Sequence, residues 1–572
     1  MKNQEIAQIF YAIADILEIQ NVQWKPVAYR KAARALEALS EPIEDIYTEK
    51  GIKGLEKLPA IGKNLAEKII QYIETGKIKS YEKLKKKLPK GFPELMEIQG
   101  LGPKKVKKLY KKLGIKNIKD LEKAAKKHKI KELETFKEKS EENILKGIEL
   151  HKEKQDRMLL GKALPQAREI INELKTIKGV QRIEYAGSLR RMKETIGDID
   201  LLVTTKNAKP VMNYFTSMDS VKRILAKGET KSAIILKTGI QVDLRVLKPD
   251  EFGAALQYFT GSKDHNIKLR NIAIKKGYKL SEYGLFSKKN NRKVAGKTEN
   301  EIYRKLGMQY IEPEMRENTG EIEAAIKKKL PKLVTLKDIK GDLHMHTKAS
   351  DGTTTIQEIA KACKQRNYEY CCITEHTKSL KIANGINEKK LEKQIKEIKK
   401  LNKKINGIKI LTGIEVDILK DGSLDLNDKT LKKLDIVIAS VHSNFKMEKK
   451  EMTKRLIKAM SNENVDILGH PTGRMIGMRE AYKFDIDQIF QAAKDTNTAL
   501  EINSQPKRMD LNGYMIKKAK EYKLKFVIST DAHNISRLSY MELGIAMARK
   551  GWCQKKDILN TLPLKKLMKQ LK

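Results

Sequence analysis

From residue 341 to about 560 the chain alternates apolar runs with lysine-rich stretches of helical character, and this alternation limits the fold more than any other feature. The runs "KILTGIEVDIL", "LDIVIASVHS", "VDILGH", "TALEINS" and "KFVISTDAH" are apolar over most of their length, as strands buried on both faces must be. Strands separated by helices pair in parallel, and a barrel is the expected arrangement over 341–572. Nearly every run ends on an imidazole or a carboxylate. His376 ends "CCITEH", Glu415 lies in "TGIEVD", His442 follows "IVIAS" and His470 ends "VDILGH". Asp531 and His533 form D-x-H after "KFVIST", and the opening "GDLHMHTKASDG" carries His344, His346 and Asp351. Six of the nine histidines in the 572-residue chain fall in this last part. One histidine in such a position reads as a core imidazole bonded to backbone. Six of them with three acids, at strand ends that converge on one barrel face, predict a metal centre. Imidazole mixed with carboxylate suits Zn2+ and Mn2+ alike. Arg474, in "HPTGR", reads either as a phosphate clamp or as half of a surface ion pair.

A chain of 572 residues is too long for one core and predicts three to five domains. Its net charge of +45 is spread over the whole length. Solvated lysine-rich helix faces account for part of it, and a polyanionic partner is the sharper reading. Charge alone does not choose between DNA, RNA and an acidic membrane surface. No run of uncharged apolar residues is long enough to span a bilayer. The start, "MKNQEIAQIFYAIADILEIQ", reads as an amphipathic helix rather than a secretory signal. Cys363, Cys371, Cys372 and Cys553 form no spaced framework, so reduced thiols in a cytoplasmic compartment are expected.

Residues 1 to about 150 carry apolar residues at helical spacing, broken by Gly and Pro. Two segments there share a pattern, "LPAIGKNLAEKI" (58–69) and "IQGLGPKKVKKL" (98–109). Each sets a small-residue turn before a lysine-bearing helix, so that backbone N–H groups at the helix start can approach a phosphate. They resemble helix-hairpin-helix motifs, which grip the DNA backbone. Gly62, Gly100 and Gly102 fit that pattern, and Ala60 departs from it where the family usually has glycine. Lys68 lies beside the first turn. A lysine of depressed pKa there can attack a sugar aldehyde to form a Schiff base, although composition alone makes it a surface lysine.

From about 165 the texture changes to short β-rich runs, "RIEYAGSL", "DIDLLVT", "SAIILKT" and "IQVDLRVL". On a strand, Asp198 and Asp200 project from one face, and Asp243 from a second strand can join them. A lone D-x-D reads more readily as a polar sheet edge with surface aspartates. Three converging carboxylates need cations, and two divalent ions suit in-line phosphoryl transfer, with Mg2+ preferred by hard oxygen ligands. Upstream, Gly187 and Ser188 open a turn fit for a triphosphate, with Arg190 and Arg191 as charge partners.

The runs "GSLRR", "GDIDLLV", "VDLRV" and "YFTGSKDHN" together resemble the palm and nucleotide-binding segment of the family X DNA polymerases, the DNA polymerase beta group. "AYRKAARAL", "LPAIGKNLAEKI", "GYKLSEYGLF" and "YIEPEMRENTGEIE" extend the resemblance over residues 1–320 or so. The strand-end ligands resemble the polymerase and histidinol phosphatase (PHP) domain, a metal-dependent phosphoesterase barrel. These resemblances imply a multidomain chain. It would have a helical gap-binding domain (1–84), further DNA-binding helices (85–150), an α+β nucleotidyltransferase palm (151–248), a thumb (249–318), a linker (319–340) and a distorted TIM-like α/β barrel (341–572). By the same resemblance Asp198, Asp200 and Asp243 hold two Mg2+ ions, and Asp243 activates the primer hydroxyl. Gly187, Ser188, Arg191, Tyr258, Phe259, Gly261 and Asn266 meet the nucleotide, and Arg245 and Arg270 the DNA. Lys25, Tyr29 and Arg30 fall on phosphate-contacting positions, and Lys68 on the family's Schiff-base lysine. In the barrel a cluster of up to three ions is implied. Glu415 would bridge one ion held by His344, His346 and Asp531 to another held by His442 and His470, with Asp351, His376 and His533 on the third.

The expected function is DNA repair by short gap filling from deoxynucleoside triphosphates, on gapped or primer-template DNA. The barrel adds 3′–5′ exonuclease, 3′-end processing or abasic-site endonuclease action. A second reading makes the barrel a phosphatase for a small ester or pyrophosphate. The protein is expected to be a monomer, away from membranes, in the cytoplasm with the nucleoid.

Overall fold

The computed structural model describes residues 2–20, 22–37, 43–86, 91–96, 98, 101–133, 136, 138–152 and 157–571. Gly100 lies outside them. The front of the chain is helical. Lys2–Ile19, Lys25–Glu37, Ile43–Glu56, Lys63–Thr75 and Lys79–Lys86 close on a core that includes Ile6, Phe10, Leu36, Leu55 and Ile69. Phe92–Met96, Pro103–Leu113, Ile118–Lys126 and Glu138–Lys152 close on a second core around Leu95, Val106, Leu109 and Phe136. The two repeated segments fold alike. Gly62 and Gly102 cap Lys63–Thr75 and Pro103–Leu113, and Gly76 and Gly114, at φ 68 and 66, end them by donating to the carbonyls of Tyr72 and Tyr110. Left-handed backbone at a helix end favours glycine because no Cβ collides there.

The central domain is a five-stranded sheet ordered Val180–Tyr185, Asp198–Thr205, Gln241–Leu247, Lys231–Leu236, Val221–Lys227. Asp198–Thr205 and Gln241–Leu247 run parallel, and the other neighbours antiparallel. The edge strand Val221–Lys227 alternates half-buried and exposed side chains with lysine and arginine among them, which hid it in the sequence. A smaller domain follows, with Phe252–Thr260, Lys263–Lys275 and a three-stranded antiparallel sheet over residues 278–295.

The back of the chain forms seven parallel strands in strict chain order: Gly341–Asp342, Tyr370–His376, Lys409–Asp417, Ile436–Ser440, Ile467–Leu468, Ala499–Asn503 and Phe526–Ser529. A parallel bridge between Met345 and Ala532, just past the first and last strands, with the His346 N–H donating to the Ala532 carbonyl at 2.9 Å, nearly closes the barrel. Leu343, Tyr370, Cys372, Ile436, Ile438, Ile467 and Val527 share one apolar cluster.

The stretch 319–340 differs from a free linker. Glu321–Ile326 is helical, Val334 donates its N–H to the Cys553 carbonyl at 2.9 Å, and Val334 and Ile339 are buried in the core that the barrel helices share. Its lysines face solvent while its few apolar residues seat it on the barrel. That core is continuous with the central domain, and a Cβ on Gly161 would stand 2.5 Å from Pro506 Cγ. Arg168 pairs with Glu542, and Arg549 Nε lies 2.8 Å from Glu314 Oε1. The barrel is thus docked on the two domains before it.

Candidate active sites

In the central sheet Asp200 stands opposite Asp243 in the parallel register, so strand pairing alone brings two carboxylates together. Asp198 is on the same face two residues earlier. Burial and the neighbouring Asp198 and Asp243 push the Asp200 carboxyl up to about 7, and burial with Asp243 raises Asp198 as well. Three carboxylates in mutual repulsion fit divalent cations, which remove that repulsion. Gln241 donates to Asp243 at 2.9 Å and fixes its rotamer. Gly187 sits at φ 61, and a Cβ there would meet Asp200 Oδ2 at 2.4 Å. The glycine is demanded twice, by backbone and by the carboxylate behind it.

The residues expected to meet a nucleotide lie on Gly187–Arg190, Phe252–Thr260 and the start of Lys263–Lys275. Ser188 lies in the turn helix. Tyr258 and Phe259 pack edge to face, with the Arg245 guanidinium 4.6 Å from the Phe259 ring centre. Asn266 is buried, donating to the Tyr258 carbonyl at 2.7 Å and accepting from Gln257 at 2.7 Å. Arg270 Nε donates to the Asn266 carbonyl at 3.4 Å, and a Cβ on Gly261 would stand 3.0 Å from Arg191 Nη1. Two charges are held internally. Arg190 is bidentate to Glu299 at 2.7 and 2.9 Å, and Arg191 pairs with Glu317 at 3.2 Å and donates to the Thr260 carbonyl.

In the front domain Gly62 and Gly102 have open space where a Cβ would be, so the helix starts behind them are unobstructed. Ala60 takes a left-handed φ of 63, the conformation that glycine supplies without strain. Lys68 is half-buried and donates to Asn64; burial lowers its pKa, and the nearby Lys25 lowers it further against Glu67. Arg30 is already paired, with Asp15 at 2.7 Å and Glu18 at 2.5 Å, and Tyr29 packs edge to face on Phe10.

At the barrel mouth all nine strand-end residues converge. His346, Asp351, His376 and His533 present ligand atoms within 4.8 Å of one another, as do His344, His346 and Asp531, and His376, Glu415 and His442. His470 Nε2 lies 2.9 Å from Glu415 Oε1. This grouping differs from the expected one in that His346 and His376 each serve two groups. Glu415 is the centre, its Oε2 lying 2.8 Å from His376, 3.4 Å from His344 and 3.6 Å from His346, and its Oε1 3.3 Å from His442. His344 Nε2, both nitrogens of His346, His376 Nδ1, His442 Nε2, His470 Nδ1 and Glu415 Oε2 are buried without a hydrogen-bond partner. Buried polar atoms left unpaired are costly, and His344 Nε2, His346 Nε2, His376 Nδ1 and His442 Nε2 all lie within 3.6 Å of the Glu415 carboxylate. A cluster of cations fits this donor set.

Burial alone would keep these imidazoles neutral. With the neighbouring His376 it takes His346 down to about 3, and with Arg508 it takes His470 down to about 4. Against burial, Glu415 and Asp417 carry His442 up to about 9, and Glu501 with Glu415 raises His344. His442, His344 and His376 hold the Glu415 carboxyl well below the usual range although burial opposes them. His470 and Asp531 have φ of 25 and 50, and backbone strain of this kind gathers at functional sites.

The sequence pattern did not single out the residues that orient these ligands. Glu501 Oε1 lies 2.7 Å from His344 Nδ1 and its other oxygen accepts from the His470 N–H, while Asp417 lies 2.8 Å from His442 Nδ1. Such partners fix the tautomer and ring plane of a ligating histidine. Both acids sit two residues from another strand acid or amide, in "EVD" and "EIN", which is the signal they left. Arg508 Nε lies 3.7 Å from Asp531, with Nη1 buried and unpaired. Arg474 is no free clamp: it binds Glu194 of the central domain at 3.2 Å and the carbonyls of Arg508 and Met509.

The chain matches four family models: a helix-hairpin-helix domain over residues 1–78, a SAM-like helix-hairpin-helix tandem over 92–149, a DNA polymerase beta thumb over 255–317, and a PHP domain over 342–505. Asp531 and His533 lie past the last match but on the same barrel mouth. The barrel alone is 34% identical to a probable phosphatase of Thermoanaerobacter sp. strain X514, over 38% of this chain and 89% of that protein. A probable phosphatase of Clostridium acetobutylicum is 32% identical over 34% of this chain and 78% of its own length. The protein named DNA polymerase/3′-5′ exonuclease PolX in Bacillus subtilis strain 168 is 40% identical over 99% of this chain and 98% of its own. With that likeness running from the first helix-hairpin-helix to the end of the barrel, the chain belongs to the PolX family, the family X DNA polymerases that carry a PHP domain.

Proposed function

We propose that the protein fills short gaps in DNA by template-directed nucleotidyl transfer at Asp198, Asp200 and Asp243, and removes nucleotides from 3′ ends at the barrel mouth. What carries the reading is that one chain holds two separate sets of cation donors, each built by strand register and each flanked by a fitting surface. Divalent cations at both centres, Mg2+ at the three carboxylates and Zn2+ or Mn2+ among the imidazoles, would neutralise charge on the attacking and leaving oxygens of an in-line displacement at phosphorus. Asp243 accepts the proton of the primer 3′-hydroxyl at its carboxylate. Gly187 and Ser188 receive the triphosphate, and Tyr258 and Phe259 wall the sugar. At the mouth Glu501 and Asp417 keep the His344 and His442 rings turned inward, and the unpaired Arg508 Nη1 orients a phosphodiester.

The helix starts behind Gly62 and Gly102 hold the DNA backbone, and Lys68 acts as the Schiff-base nucleophile on a 5′ sugar phosphate. The protein works as a monomer near the nucleoid. The probable phosphatases that match the barrel favour a second reading, hydrolysis of small phosphate esters. Full-length Asp198→Ala/Asp200→Ala protein, offered 3′-tailed DNA and small phosphate esters with Mn2+ or Zn2+, separates the two. Degradation of the DNA supports the exonuclease, and turnover of the esters alone overturns it.

A further inference from the structure

Lys550 ends the helix Met541–Lys550 of the barrel domain, yet its ammonium reaches Arg191 of the central domain and Glu317 of the smaller domain after it. It donates to the Arg191 carbonyl at 3.0 Å and lies 3.5 Å from Glu317 Oε1. The same oxygen accepts from Arg191 Nε at 3.2 Å, and Glu317 Oε2 lies 3.3 Å from Lys193. Arg191 also donates from Nη1 to the Thr260 carbonyl. Its backbone is therefore held by the barrel directly, and two of its three guanidinium nitrogens are held, one through a carboxylate that the barrel also grips. Lys550, Lys193 and Arg191 keep the Glu317 carboxyl at about 2, although burial would raise it. Close by, Arg474 of the barrel reaches Glu194, the residue after Lys193, at 3.2 Å.

We propose that Lys550 is a positioning residue of the polymerase site: through Glu317 and the Arg191 carbonyl, the docked barrel sets the placement of Arg191 and with it the affinity for the incoming nucleotide. This rests on the reading of Arg191 as a triphosphate contact. The physical reason is preorganisation. An arginine fixed before the nucleotide arrives loses little side-chain freedom on binding, whereas a released one must be ordered at the expense of affinity. The polymerase half thus depends on the barrel for geometry as well as for a second activity.

The test uses the full chain on a single-nucleotide gap with the nucleotide concentration varied. Lys550→Met should raise the nucleotide KM by about tenfold with kcat within about threefold, the pattern of lost binding rather than lost chemistry. Exonuclease action by the same preparation should stay unchanged. Lys550→Arg, which keeps the charge and the donor, should restore most of the KM. Glu317→Gln answers the same question if Lys550→Met folds poorly, and adding Lys550→Met to it should cost less than the two separate effects multiplied, because the two share one contact. An unchanged KM, or an equal fall of both activities with no change in KM, overturns the inference. Primer extension retained by Asp200→Ala would instead overturn the reading of the polymerase site, and this inference with it.

Discussion

Asp200 Oδ2 occupies the space where a side chain on Gly187 would begin, 2.4 Å from the position of a Cβ. The turn at Gly187 and the strand that carries Asp198 and Asp200 are therefore pressed together, and the glycine cannot be replaced without moving a carboxylate. Gly187→Ala should lower primer extension by about a hundredfold, the scale of a displaced catalytic group. Exonuclease rates on the same preparation should remain at the parent level.

Glu501 touches no bound group in this account, yet it holds His344 Nδ1 and the His470 N–H. Glu501→Gln should weaken metal retention at the barrel by about 10–100-fold. Chelator competition followed by metal analysis reads this directly, and polymerase activity serves as the unaffected control.

Glu299 ties Arg190 to the fully buried Arg316, whose Nη1 lies 2.5 Å away. Glu299→Gln leaves a buried guanidinium short of its counter-charge and should cost about 3–5 kcal/mol of stability in urea unfolding. The arginines hold the Glu299 carboxyl at about 2 against an ordinary 4.5, although burial opposes them. A depressed folded pKa stabilises above the unfolded value. That stabilisation should therefore be lost as the pH falls from about 4.5 through about 2, and Glu299→Gln should show less of that loss.

Ala60 pays a left-handed φ of 63 at the first helix-hairpin-helix turn. Ala60→Gly should stabilise the front domain by up to about 1 kcal/mol, the relieved strain exceeding the added chain entropy. A lower melting temperature would contradict this.

Lys68→Ala should abolish borohydride trapping of a 5′ deoxyribose phosphate end while leaving gap filling within about twofold of the parent rate. Trapping that persists would assign the Schiff base to another lysine.

Much of both centres was legible because strand periodicity carries it. The apolar runs ending in His376, Glu415, His442 and His470 announce a barrel mouth, and D-x-D with Asp243 announces a shared sheet face. What stayed hidden is long-range pairing. Arg191 reads locally as a charge partner for a triphosphate and Arg474 as a phosphate clamp or half of an ion pair with no partner in view, because their acids, Glu317 and Glu194, lie 126 and 280 residues away. Val334 and Ile339 were masked by lysines in a stretch that reads as a linker and packs as core. Asp417 shares its strand with the candidate ligand Glu415, and Glu501 lies two residues from Asn503, so the spacing marks an acid on the strand without telling an orienting acid from a ligand.

The central claim is that one chain houses two separate metal centres acting on one DNA. A single gapped duplex with a mismatched 3′ tail, incubated with Asp198→Ala/Asp200→Ala or His344→Ala/His346→Ala full-length protein, tests it most directly. The first should shorten the tail and add nothing, and the second should extend a paired primer and remove nothing. Loss of both activities in either protein, or of neither in both, would contradict the account.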